Sequence, residues 1–428
     1  MKLRLLTLLP IVILCLCRSG LANPTELTLA DTIGLAYKNN PVLQIAQARQ
    51  GQSVWSLKEA KAAQGIVLKY THLDRRSTEP LSWMPQLEAI SPGNYFNNTL
   101  KASLPLYTGR KIENIITQAD LGLLISQLEV TATKQRLKLE TSMGYYGVLQ
   151  SQTLLEVSKQ TVDDFAAHLK RVQKMYDTGV VPWHDVLQTK VRLANAENNL
   201  VQAQNRYELA VYSLNKTIGL PLRSELKLIE PLVYSPYGLT IEEVISRGLA
   251  KRTEIKQNEA NVRIQQAQER VARSEHYPTV ALVGTMTWQD TDFAGTSNRN
   301  WTAMMITEIN VFNSGSTQAK IKQAQLGIAA AQGQVRQVAD NITLEISDAF
   351  LSLKEAEKRI TTNKAAVEEA ALNYIIAQKR YSAGVGTNLD VMDAELAMNQ
   401  AKTNYVNSLH DYNASKARLD KAIGADEG

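Results

Sequence analysis

Three aspartates and two tyrosines stand out because their spacing repeats along the chain. One segment, which begins at Tyr176, reads Tyr-Asp-Thr-Gly-Val-Val-Pro-Trp-His-Asp-Val and contains Asp185. A second segment begins at Tyr381, an offset of 205 residues, and reads Tyr-Ser-Ala-Gly-Val-Gly-Thr-Asn-Leu-Asp-Val, with Asp390 and then Asp393. Carboxylates in the first turn of a helix interact favourably with the helix dipole.

The residues between each tyrosine and aspartate predict a turn between two helices. Gly179 and Gly384 stand where a helix ends in the left-handed conformation. Pro182 in the first copy, and Thr387 with Asp390 three residues later in the second, are typical of the start of the next helix. The sequence therefore predicts two helical hairpins with tips at residues 177–185 and 382–390.

Other chemistry is poorly supported by the residue pattern. The five histidines are scattered without metal-ligand spacing, and no Ser-His-Asp order or glycine-rich phosphate loop occurs. Both cysteines, Cys15 and Cys17, lie in an apolar N-terminal run. We therefore expect no enzyme, no cofactor and no metal site.

The N-terminus has the basic, apolar and small-residue regions of a secretory signal, predicted as residues 1–22. A lipoprotein signal is the alternative, but leucine precedes each cysteine. Removing Lys2, Arg4 and Arg18 from 47 basic residues leaves 44 against 42 acidic ones, a net charge of +2. This balance gives no support for nucleic-acid binding.

The 205-residue offset extends well beyond the tips. It also pairs Tyr207 with Tyr412 and Leu214 with Leu419, and further upstream the offset becomes 212. We predict a unit written twice, at 23–220 and 239–428, joined by the proline-rich linker 221–238.

Four short segments change from helical to alternating periodicity: 66–74, 99–107, 279–288 and 301–312. Alternating runs of about ten residues edged with aromatics are typical of transmembrane β-barrel strands. Soluble hairpins with one buried face would give the same pattern, so periodicity leaves both interpretations open.

The segments around the tips predict very long helices. Residues 108–177 contain no proline, and a continuous helix of that length would extend about 100 Å. In the return helix, large residues recur every seven positions from Val186 to Leu214, with small residues in the alternate seam. This pattern predicts a left-handed coiled coil.

The tip motifs, alternating segments and long helices occur in the same order in both copies, behind a predicted signal peptide. In this arrangement the chain resembles the TolC-type outer membrane efflux proteins. The resemblance covers the mature chain and includes Tyr277-Pro278 before a strand and the strand-to-helix junctions 104–109 and 310–315. It implies a mainly α protein with a membrane β-barrel part. Three chains of four strands would form a 12-stranded barrel on a hollow α-barrel in the outer membrane of a Gram-negative bacterium.

The resemblance also implies roles at the tips. Asp185 and Tyr381 match positions that hold the closed tip through a hydrogen bond. Asp390 and Asp393 match an acidic entrance ring, where like charges should raise the carboxylate pKa values. Many members carry arginine where this chain has Gly386, so we expect a looser resting closure.

The implied function is an exit duct for efflux or type I secretion. Its partners would be two identical chains, outer membrane lipid, a periplasmic adaptor protein and an inner-membrane transporter. The wall residues favour no substrate class. Two alternatives are a periplasmic coiled-coil adaptor or scaffold and a filament or surface-layer protein. Two hairpins and four alternating segments per chain argue against both.

Overall fold

The computed structural model describes residues 25–76, 94–290 and 297–424. The predicted signal peptide and most of the loop between the first two long strands lie outside the described residues. In chain order the elements are β1 Thr25–Leu27, α1 Leu29–Asn39, α2 Pro41–Ala62, β2 Val67–Arg76, β3 Asn94–Tyr107, α3 Lys111–Asp177, α4 Trp183–Ile218, β4 Leu226–Leu228, α5 Ile241–Lys251, α6 Thr253–Ser274, β5 Thr279–Asp290, β6 Arg299–Glu308, α7 Ser316–Ser382 and α8 Asn388–Ala422.

Each half opens with two short helices separated by one extended residue. Between α1 and α2 that residue is Asn40, which precedes Pro41 and is therefore kept out of the helical conformation. Its side chain accepts a hydrogen bond from the backbone of Val42 at 2.8 Å, which caps α2. The proline thus ends one helix and starts the next.

Two pairs of long antiparallel helices dominate the fold. α3 and α7 each contain 67 residues, which corresponds to about 100 Å of helix. They return as α4, with 36 residues, and α8, with 35. α7 begins and ends 205 positions after α3, the same offset that relates the two tip motifs in the sequence.

The predicted heptad positions face the helix contacts. In α8 the large seam residues Val391, Met398, Tyr412 and Leu419 are buried, and so are the small residues of the alternate seam, from Ala394 to Ser415. Large residues opposite small ones allow two helices to approach closely. Between the seams, Asp393 is exposed.

The four longer strands form one antiparallel sheet in the order β2-β3-β5-β6. Cross-strand partners lie on the same face, and one row across all four strands consists of Tyr70, Leu100, Met286 and Trp301. On the opposite face a row consists of Lys69, Lys101, Thr285 and Thr302. The sheet therefore has an apolar face and a polar face.

Strand ends follow pairing rather than hydrophobicity. Residues 309–312 were predicted to continue the last strand, but β6 ends at Glu308, whose partner Thr279 is the first residue of β5. Beyond that pair there is no neighbouring strand to bond with. At the other end, pairing with Arg76 carries β3 back to Asn94, before its predicted start at residue 99.

The linker packs against the long helices. Within it, β4 pairs in parallel with β1. The Tyr234 hydroxyl donates to the Glu357 carboxylate at 2.6 Å, and the Tyr412 hydroxyl donates to the carbonyl of Ser235. These contacts attach the linker to α7 and α8. No helix in the described part of the chain is long and apolar enough to cross a membrane.

Candidate functional site at the hairpin tips

Both long helices end in the same hydrogen-bonded turn. Gly179 and Gly384 have φ angles of 75° and 77°, the left-handed conformation predicted from the motif. After α3 the Val180 amide donates to the Met175 carbonyl at 2.8 Å. After α7 the Val385 amide donates to its counterpart carbonyl at 3.0 Å. At each end a second bond runs from the glycine amide to the tyrosine carbonyl, at 2.8 Å after α3 and 3.0 Å after α7. The two bonds at each end form a Schellman motif, which satisfies carbonyls that the helix leaves free.

The return helices begin differently. At α8, Thr387 and Asp390 form a reciprocal capping box, in which the Thr387 amide donates to the Asp390 carboxylate at 2.9 Å and the Asp390 amide donates to the Thr387 hydroxyl at 3.1 Å. At α4, Pro182 is the cap residue and makes no side-chain hydrogen bond. The predicted helix start at Pro182 is therefore one residue early.

Gly386 fits tightly against the end of α7. A Cβ atom added there would lie 3.1 Å from Arg380 Cβ and 3.1 Å from the backbone nitrogen of Tyr381. A larger residue at this position would have to move the turn or the helix end. The arginine expected from the resemblance does not suit this turn.

Tyr381 lies inside the tip and Asp185 lies near it. The tyrosine is 6% exposed, and its hydroxyl is buried without a hydrogen-bond partner in the described chain. Burial, with a smaller effect from the nearby Asp185 carboxylate, raises the pKa of Tyr381 to about 12. The two residues lie close together, but within the described chain they do not form a well-oriented hydrogen bond.

A buried polar network that the sequence reasoning missed joins the two hairpins beside Tyr381. His168 Nε2 lies 2.7 Å from Asn388 Oδ1, and because an amide oxygen only accepts, Nε2 carries the proton. The Asn388 amide group donates to the carbonyl of Asp185 and to the hydroxyl of Thr189, each at 3.2 Å. α3, α4 and α8 therefore meet at one side chain.

The network is fully packed. His168, Thr189 and Asn388 are all buried, and the His168 ring lies 5.6 Å from the Tyr381 ring. Burial lowers the pKa of His168, so the neutral ring is favoured. In the sequence, the one feature that could have indicated this network is Asn388, a polar residue at the first position of α8. The residue at the equivalent position of the first copy is Trp183.

Asp390 and Asp393 line one exposed cleft, together with Arg380. The hydrogen bonds from Thr387 lower the pKa of Asp390, opposite to the expected rise. The rise expected from repulsion among the carboxylates of three chains stays a prediction. Asp393 lies 3.8 Å from Arg192 of α4, an exposed ion pair between the hairpins.

The tip residues hold helices of the two hairpins against each other. In the part of the chain that the structure describes, no group of three His, Cys, Asp or Glu side chains could hold a metal ion. What the residues do is connect helices from both repeats at the point where each chain turns.

Comparisons with known proteins agree with this architecture. The family model "Outer membrane efflux protein" matches residues 32–220 and 244–425. The outer membrane protein TolC of Escherichia coli is 22% identical over 321 residues, covering 70% of this chain and 64% of TolC. The alkaline protease secretion protein AprF of Pseudomonas aeruginosa is 21% identical, covering 92% of this chain and 83% of AprF.

Solved structures extend the fold similarity over nearly the whole chain. The outer membrane protein VceC of Vibrio cholerae superposes with a TM-score of 0.79 at 20% identity, covering 92% of this chain and 96% of VceC. The CmeC outer membrane channel of Campylobacter jejuni gives 0.82 at 17% identity, covering 92% and 85%. In sequence, the alignment spans just under two thirds of TolC. Because the family model covers most of the residues in both repeats, the chain belongs to the outer membrane efflux protein family.

Proposed function

We propose that this chain is the outer membrane exit duct of a tripartite efflux or type I secretion system. Three copies would close their sheets into a 12-stranded barrel in the outer membrane and their helices into a hollow tube through the periplasm. A periplasmic adaptor and an inner-membrane transporter would supply the cargo and the energy. The duct itself would be a passive conduit with no catalytic step.

The observation that carries this proposal is the two-faced sheet with open edges. Its apolar row ends at Tyr70 on β2 and Trp301 on β6, both of which are exposed. Neither β2 nor β6 pairs with a further strand among the described residues. An apolar outer face, a polar inner face and two free edges suit closure with identical neighbours in lipid.

The long helices support the same assignment. Rods of about 100 Å are too long for an ordinary globular core, and many apolar side chains on them remain exposed in one chain, including Leu344, Leu351 and Leu372. Further copies of these helices would cover them. The family match disfavours the adaptor alternative, since it spans both repeats.

We assign the gate of this duct to the tips. Asp185 and Tyr381, with the buried bond between His168 and Asn388, would hold the second hairpin against the first in the closed state. Asp390 and Asp393 would form the entrance ring, six carboxylates in a trimer. The buried network would take over part of the closure that an arginine at position 386 provides in other members.

Mass measurement and conductance together test the duct. The protein purified in detergent should have the mass of a trimer by light scattering, and in planar bilayers it should form a channel of small, steady conductance. The matched control replaces the apolar row at one free edge: Trp301→Lys should prevent insertion while leaving the helical content unchanged. A stable monomer that forms no channel would contradict the proposal.

A further inference from the structure

Glu395 is a carboxyl group buried between the hairpins, about two turns after α8 begins at Asn388. It is 0% exposed, and neither of its carboxyl oxygens has a hydrogen-bond partner in the described chain. It lies in the stretch of α8 where Val391 and Met398 pack into an apolar cluster from both hairpins. A buried polar group without a partner is costly, and a buried charge without one is costlier still.

The charged and titratable groups that face Glu395 do not neutralise it. From α3 they are Asp164 and Arg171, from α7 Tyr374, and from α8 itself Lys402. Asp164 accepts a hydrogen bond from Gln160 at 2.9 Å, and Arg171 is exposed. The Tyr374 hydroxyl is also buried without a partner.

Burial, and then repulsion from Asp164, raises the pKa of Glu395 to about 8. The carboxyl group is therefore mostly neutral at neutral pH. Because its oxygens are already enclosed within one chain, water or a neighbouring chain can reach them only if the helices move.

We propose that the proton on Glu395 holds α8 against α3 and α7, and that its loss loosens the second hairpin and favours the open tip. This proposal rests on the proposed duct, because only a channel gives the loosening a functional meaning. The ligand of this switch is the proton itself, and the switch belongs to the second repeat alone. The equivalent position of the first repeat is Lys190, which is exposed and lies over the Trp183 ring.

The direction of the pH effect follows from the two protonation states. In the packed tip the pKa of Glu395 is about 8, whereas a carboxyl group exposed by loosening titrates near the ordinary value of 4.5. Between pH 4.5 and 8 the packed tip therefore keeps the proton on Glu395, whereas the loosened tip releases it. The stabilisation of the packed tip by this proton is complete below pH 4.5 and is lost as the pH rises through 8. Between pH 6.5 and 8.5 the equilibrium should shift about 25-fold toward the loosened tip.

The experiment compares Glu395→Gln with the wild type and with Glu369→Gln, which makes the same carboxyl-to-amide change at an exposed position on α7. Thermal unfolding of the trimer and single-channel conductance are measured at pH 6.5 and 8.5. We expect the wild type and Glu369→Gln to lose stability and to open more often at pH 8.5. Glu395→Gln should be insensitive to pH over this range and remain closed.

The two readouts separate this proposal from the proposed duct. If Glu395→Gln tracks the wild type in stability, the proton switch is overturned. If its stability becomes insensitive to pH but conductance does not change, control of the gate is overturned. Absence of any channel in the wild type would overturn the duct itself. Glu395→Met, a neutral side chain of similar length, replaces Glu395→Gln if the amide prevents folding, and the same outcomes apply.

Discussion

The two hairpin tips have the same backbone turn, but their side chains point outward in the first tip and inward in the second. In the first tip Tyr176 is 40% exposed and packs on Trp183, with ring centroids 4.9 Å apart, so the aromatics cover the outside of the turn. In the second tip Tyr381 is buried and Asn388 points into the first hairpin. Duplication supplied the turn twice, and only the second copy became the element that connects both hairpins.

This difference implies that equivalent substitutions should have unequal effects. Substitutions of buried residues should destabilise the second tip, because its buried polar side chains are hydrogen-bond partners of one another. The first tip should be sensitive mainly at its surface.

The largest effect is expected at the buried network. Asn388→Leu should lower the free energy of unfolding by about 2–3 kcal/mol, because it leaves the His168 ring N–H without an acceptor. Trp183→Leu, the equivalent change in the first tip, should cost about 1 kcal/mol through its lost aromatic contact. Urea denaturation in detergent measures both, and equal losses would mean that the tips do not differ in this way.

A smaller effect is expected at the caps. Thr387→Ala should lower stability by about 1 kcal/mol by removing the capping box. The complementary change, Pro182→Thr, would place a threonine three residues before Asp185 and create the missing box. Its gain should be smaller, because proline also restricts the unfolded chain. Thermal unfolding of both variants tests whether a capping box stabilises the first tip as it stabilises the second.

Tyr381→Phe should affect closure of the channel without lowering the free energy of unfolding. Since the buried hydroxyl has no partner within the chain, its removal should leave stability unchanged or raise it by up to about 1 kcal/mol. If the hydroxyl serves the closed gate with Asp185, leakage of large antibiotics through the channel should still rise severalfold. Asp185→Ala should raise leakage in the same way, and Tyr176→Phe should change neither property. Unchanged leakage in the first two variants would assign closure to other residues.

The entrance aspartates should affect ion binding with little effect on stability. Replacing both Asp390 and Asp393 by alanine should weaken block of the channel by divalent or trivalent cations, since it removes the proposed carboxylate ring. Bilayer recordings with added cation measure this, with Glu369→Gln as the exposed control. Undiminished block would remove the ring assignment.

The sequence predicted those parts of the fold that depend on local patterns. Gly179 and Gly384 identified the turns because few other residues adopt a left-handed conformation without strain. The spacing of Val391, Met398 and Leu419 identified the coiled-coil face because a seven-residue period has one structural explanation. Residues 309–312 were misassigned because hydrophobicity does not reveal where the partner strand begins.

The site was less predictable, because its central contacts join residues far apart in sequence. His168 and Asn388 lie 220 positions apart, and nothing near either residue indicates the other. Within the chain the capping box lowers the pKa of Asp390, an effect that the sequence analysis did not anticipate. Glu395 looks like an ordinary helix residue, and its burial follows only from the way three helices meet around it.

The matched lengths of α3 and α7 impose a rule on how such a protein can change size. Inserting a single residue into either helix would rotate everything beyond it by about 100° and disrupt the seams. Paired insertions of seven residues in all four long helices would preserve every seam and move the tips by about 10 Å. The distance from the sheet to the tips can therefore change during evolution only in steps of about 10 Å.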